Sequence, residues 1–177
     1  MRNRKIKLTI QEIALLGMMV AVIEVCKVAM MGLPNIELTT FWIIMFTLFF
    51  GKRVLFVIPV FILIEGAMFG IHIWWIMYLY VWPLLALVTY LFRKNERPLF
   101  WAILSSAFGF LFGFFCAIPY VVIGWSSGGF VNGLYTGFVW WIAGIPWDIL
   151  HGISNFVLML VLFAPVKKTM RFIKIIE

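Results

Sequence analysis

A succession of apolar stretches, joined by short connections, limits what this chain can become more than any other feature. Apolar runs cover residues 10–31, 39–50, 54–70, 74–92, 99–123 and 146–165. A helix needs about 20 such residues to cross a hydrocarbon core. The second run is shorter by about a third of that span, so it is expected to be tilted, broken or extended through its flanks. Soluble domains are about half apolar, whereas 65% of this chain is hydrophobic and only 12% is charged. That balance excludes a water-soluble globule. Because lipid offers the backbone no hydrogen-bond partners, the expected fold is all-α: an integral membrane protein of six transmembrane helices in one domain, residues 1–177. No run resembles another closely enough to be a repeat. The first is too long to be a cleaved signal, and no small-x-small cleavage site follows it.

Charge sets the expected orientation. Arg2, Arg4, Lys5 and Lys7 precede the first run, and Lys52 and Arg53 join the second and third. Arg93, Lys94 and Arg97 join the fourth and fifth, and Lys167, Lys168, Arg171 and Lys174 follow the sixth. The three other connections hold neither Lys nor Arg, and Lys27 is the one basic residue inside a run. The positive-inside rule then puts both termini in the cytoplasm. The net charge of +7 is thereby read as topology, and no nucleic-acid partner is expected.

Polar and aromatic residues gather on the outer side of this arrangement. Asp148, His151 and Asn155 are spaced i, i+3, i+7, so a helix presents them as one polar strip. Such groups in hydrocarbon turn toward a cavity or a partner. Asn35 and Glu37 lie in the first outer connection, Glu65 near the outer end of the third run, and Trp74 and Tyr78 at the start of the fourth. The longest outer connection, residues 124–145, carries Trp125, Asn132, Tyr135, Trp140 and Trp141. Pro146 suits the first turn of the last helix, with Trp147 beside it. Each has a plainer reading. Asp148 and His151 can pair with each other, Glu65 can be a structural hydrogen-bonding group, and the tryptophans can be an interfacial belt. Glu24 and Lys27, three apart, are expected to pair within the first helix.

Two strips of small residues also stand out: Ala14, Gly17 and Ala21 in the first run, and Ser105, Gly109, Gly113 and Ala117 in the fifth. Small faces let helices approach closely in lipid, so one can serve internal packing and the other a docking partner.

The chain lacks a GxxxxGK[ST] loop, an HExxH pair and a GxSxG elbow, and no run carries the repeated arginines of a voltage sensor. Cys26 and Cys116 have no CxxC or CxxH spacing, and no metal or cofactor is expected. Asp148 and His151 keep an intramembrane acid–base enzyme open as an alternative, and a ligand-free assembly subunit is another.

With the small face of the first run, the phrase LPNIELTTFWIIMFTLFFGKR at 33–53 and GIPWDILHGISNFVL at 144–158, the chain resembles the substrate-binding S components of the energy-coupling-factor (ECF) vitamin transporters over essentially its whole length. The resemblance implies the S-component fold in a prokaryotic plasma membrane and a role as a transporter subunit, not an enzyme. Its implied partners are a transmembrane coupling subunit and two ATPase subunits. By position, Ala14, Gly17 and Ala21 would dock the coupling subunit, although the family more often shows two alanines where this chain has Gly17 and Ala21. Asp148, His151 and Asn155 would hydrogen-bond a vitamin, with Glu65 in the same site. Trp74, Tyr78 and Trp147 would stack on the vitamin, and Asn35 and Glu37 would close over it. The ligand looks most like cobalamin or a related large aromatic vitamin, with riboflavin or another small vitamin as the alternative. In the family the whole subunit is thought to topple in the membrane and carry its ligand inward.

Overall fold

The computed structural model describes residues 9–176, with side chains described to Phe172. Arg2, Arg4, Lys5 and Lys7, and the side chain of Lys174, lie outside the described residues. Everything regular within them is helix: α1 (Ile10–Ala29), α2 (Thr39–Phe50), a 3-10 turn (Gly51–Arg53), α3 (Val54–Phe69), α4 (Ile73–Phe92), α5 (Pro98–Phe110), α6 (Phe112–Cys116) and α7 (Ile118–Ile176).

Local chemistry sets several of these limits. Thr9 and Glu12 close a capping box at the start of α1, the Glu12 N–H donating to Thr9 Oγ1 at 3.2 Å and the Thr9 N–H to Glu12 Oε2 at 2.9 Å. Gly51, at φ 58°, stops α2 in a conformation that favours glycine. Pro98 opens α5, where its missing N–H costs nothing.

Among the described residues, three helical stretches are long and apolar enough to cross a membrane: Thr39–Phe69, Ile73–Phe92 and Phe112–Phe172. Glu12, Glu24 and Lys27 make α1 less apolar, and α5 is only 13 residues long before the chain bends at Leu111. The described chain is therefore all-helical with several potential spans.

Residues 124–145 depart from expectation, being helix where the sequence reading has an outer connection. Helix α7 breaks only at Gly128 and Gly129 (φ 84°), which turn its short arm, 118–127, back against its long arm, 130–176. Pro146 accordingly lies inside the long arm and not in a first turn. Glycine makes the hairpin possible, since a Cβ on Gly133 would come within 2.6 Å of the Val121 carbonyl oxygen. Its polar side chains bond inward. Ser126 and Ser127 hydroxyls donate to the carbonyls of Ile123 and Gly124 at 2.8 and 3.0 Å, and Asn132 Nδ2 donates to the Gly124 carbonyl at 2.8 Å. Counting apolar residues splits this segment at its serines and glycines, whereas the folded hairpin satisfies them internally, as lipid requires.

The two small strips separate clearly. The α5–α6 strip packs inward on the long arm, where a Cβ on Gly109 would lie 2.8 Å from Gly152 Cα and Asn155 Nδ2 donates to the Ser105 carbonyl at 3.3 Å. Ala14, Gly17 and Ala21 face outward on α1, and a Cβ on Gly17 would meet nothing within 4 Å.

Contacts also draw the described basic clusters to one end. Arg53 pairs with Glu12 at 2.6 Å, Lys52 lies over the Tyr90 ring, and Lys167 reaches Glu96 at 3.5 Å. The core between the ends is filled by Ile23, Ile43, Phe61, Val81, Leu85 and Trp101, all without exposed surface.

Candidate functional site

At the end away from the basic clusters, the helices line an open cavity of about 780 Å³. Five helices and one loop build it. Helix α4 presents Trp74, Tyr78 and Trp82 at i, i+4 and i+8, one face of the helix, with Tyr78 edge-on to both tryptophans at 5.2 and 5.3 Å between ring centres. From α6 comes Phe112, which meets Trp82 at 5.6 Å and the His151 ring at 4.9 Å. The long arm of α7 adds Trp140, Trp147, Asp148 and His151, and the loop between α1 and α2 covers one side with Asn35 and Glu37.

That loop is pinned to α7. Glu37 accepts the N–H groups of Thr39 and Thr40 at 3.0 and 3.2 Å and the Thr40 hydroxyl at 2.8 Å, so its carboxylate caps the positive end of α2. It also meets His151 Nε2 at 3.2 Å, while the Ser154 hydroxyl donates to the Asn35 carbonyl at 3.2 Å. Asn35 takes φ 56°, a conformation that asparagine tolerates better than most residues. Burial pushes the Glu37 carboxyl up, but the bond and charge of His151 and the bonds from Thr39 and Thr40 outweigh it and hold it at about 2.

At the opposite wall Lys27 reaches in from α1. Its ammonium pairs with Glu65 of α3, donates to the Tyr78 hydroxyl at 3.1 Å, and lies 4.8 Å from the centre of the Tyr78 ring. This corrects the expected Glu24–Lys27 pair: Lys27 turns across to Glu65, and the Glu24 carboxyl faces the same Glu65 carboxyl. Helical spacing permits the intrahelical pair, but the neighbouring helix offers the lysine a buried carboxylate, a phenol and aromatic faces together.

Of the nine residues expected in the site, eight line the cavity: Asn35, Glu37, Glu65, Trp74, Tyr78, Trp147, Asp148 and His151. Asn155 does not. It is buried one turn beyond, against Ser105 of α5, because the long arm turns that part of the strip toward the helix interface. Nor do Asp148 and His151 hydrogen-bond each other. Asp148 Oδ1 accepts the Gly113 N–H at 3.0 Å, a close approach that needs glycine, and His151 is held by Glu37. Among the further lining residues are Lys27, Trp82, Phe112 and Trp140. Trp82 was legible as the next residue on the Trp74–Tyr78 face and Lys27 as the one basic residue inside an apolar run, whereas nothing local marks Phe112.

The resulting chamber has flat aromatic walls and buried carboxylates, suited to holding a ring system by stacking and edge hydrogen bonds. Comparison with known protein families, with curated proteins and with solved structures gives no match for the chain.

Proposed function

We propose that the chain is the substrate-binding S component of an ECF-type vitamin transporter, a six-span subunit with both termini in the cytoplasm of a prokaryotic cell membrane. It captures a vitamin on the outer side, and a coupling subunit with two ATPases drives its release inside. The observation that carries the proposal is the aromatic-walled cavity of about 780 Å³ at the end opposite the basic clusters. Cavities of about 300–1,000 Å³ hold drug-sized molecules, so this volume favours riboflavin or another small vitamin over the far larger cobalamin. The outward strip of Ala14, Gly17 and Ala21 supports a helix-docking surface, since small residues allow close approach in lipid. A chain with no P-loop suits a complex in which other subunits hydrolyse ATP.

Native mass spectrometry of the protein, purified in mild detergent from cells grown on mixed vitamins, tests the reading. The expected result is a bound vitamin mass that disappears when Trp74 and Trp147 are both replaced by alanine. A folded protein that never carries or takes up a vitamin would overturn it.

A further inference from the structure

We infer that Glu24 of α1 and Glu65 of α3 hold one proton between them, as a carboxylic acid bonded to a carboxylate, and that this proton joins the two helices. The Glu24 carboxyl faces the Glu65 carboxyl. Both Glu24 oxygens and Glu65 Oε1 are buried, and no N–H or O–H group among the described residues donates to any of the three. Glu65 itself is only 1% exposed. An ionised carboxylate has acceptors and no donor, so two of them here would set acceptor against acceptor. Buried polar atoms are ordinarily bonded, and leaving one without a partner is costly. A single proton resolves the conflict, since the protonated group then donates to the ionised one.

Charge leads to the same count. The Lys27 ammonium pairs with Glu65 and donates to the Tyr78 hydroxyl of α4, so one cation stands against two carboxyls. Helix α2, which packs on both α1 and α3, carries no charged side chain, and Glu37 in the loop before it is engaged by His151. Full ionisation would therefore leave a net negative charge in an apolar interior, which is costly, and two carboxylates sharing one site do not readily both ionise. With one proton in place, Glu24, Lys27 and Glu65 together are neutral. The position of the pair extends its reach. Lys27 and Glu65 line the cavity, and Ala14, Gly17 and Ala21 face outward on the same α1. Through this proton, pH acts on the cavity wall and on the helix that carries the outward small face.

The inference does not rest on the binding role proposed above, so the test uses the full-length, detergent-purified protein without ligand. Its infrared spectrum at neutral pH is expected to contain the carbonyl stretch of a buried carboxylic acid, lost in Glu24→Gln and in Glu65→Gln and retained in Asp148→Asn. Because Glu65→Gln also removes the partner of Lys27, Glu24→Gln, whose amide puts an N–H donor where the proton was, carries the test by itself. It is expected to keep the unfolding midpoint of the unaltered protein at neutral pH. The pH profile separates a bound proton from packing alone. Above about pH 4.3, where free glutamate titrates, the unfolded chain has lost both protons while the folded chain keeps one. The folded state then binds one proton more, so its stability falls as pH rises until the pair ionises. The unfolding midpoint of the unaltered protein is expected to drop more steeply on alkalinisation than that of Glu24→Gln. Absence of the acid band, its persistence in both glutamine variants, or its loss in Asp148→Asn alone would overturn the shared proton. Equal alkaline profiles would do the same, as would a midpoint that depends on sodium concentration and not on pH, which would put a metal ion between the carboxylates.

Discussion

At the scale of single residues, Lys27 and Glu37 each hold two elements together by pairing a half-buried charge with a buried partner, Glu65 and His151. Removing one partner of a buried ion pair strands the other, at a cost of about 3–5 kcal/mol. Lys27→Met is therefore expected to destabilise the chain by about 3 kcal/mol, and the double change with Glu65→Gln to recover part of that loss. Unfolding midpoints of the two single variants and the double one give the coupling directly, and strictly additive losses would show that the pair contributes nothing. Glu37 makes a different prediction, one of pH. Its folded value of about 2 lies below its ordinary 4.5, so its contribution is complete above pH 4.5 and is lost as pH falls from there toward 2. Glu37→Gln should cost about 2 kcal/mol at neutral pH and flatten the fall in stability on acidification. An unchanged acid profile in the variant would assign that fall to other groups.

Among the elements, the pairing of α5, α6 and the short arm against the long arm of α7 positions Asp148 and His151, and it depends on glycine. The neighbours of Gly109 and Gly133 are backbone atoms, at 2.8 and 2.6 Å from an added Cβ, and backbone cannot swing aside as a side chain can. Gly109→Ala is expected to cost about 1–3 kcal/mol through overpacking, read as a lower thermal midpoint, with ligand affinity reduced because Gly113 and Asp148 lie one turn away. A Gly109→Ala protein with full stability would mean that the helices part without loss. Gly17→Leu is the contrasting case, since the space around Gly17 is open. Folding and ligand binding should be unaffected, whereas ATP-driven uptake by the assembled transporter should fall at least tenfold if α1 docks a partner there. Normal uptake would remove that face from the docking role.

Across the whole molecule, the segment from Pro98 to Trp147 contains no charged residue, yet it builds both one side of the cavity and a hairpin beyond it. Exposed Trp125, Phe130, Val131, Tyr135 and Phe138 cover that hairpin, while its serine and asparagine side chains bond within it. The asymmetry of the molecule follows: basic turns at one end, aromatic and acidic groups around a cavity at the other.

Much of this was determined by sequence alone. Apolar runs and their basic punctuation are local properties, so the all-helical class and the limits of α2, α3 and α4 follow from them to within a residue or so. The cavity residues Trp74, Tyr78, Asp148 and His151 were legible because polar and aromatic groups are conspicuous in apolar helices. Which way a mostly apolar helix faces is not local, since every side offers similar residues and periodicity loses its power. Only the tertiary structure turned Lys27 from Glu24 to Glu65, aimed Asn155 into the α5 interface, and folded residues 124–145 into a helical hairpin. In each case the deciding partner, Glu65, Ser105 or Val121, belongs to a different helix or to the other arm of the hairpin. Packing in three dimensions chose among contacts that spacing along the chain left equal.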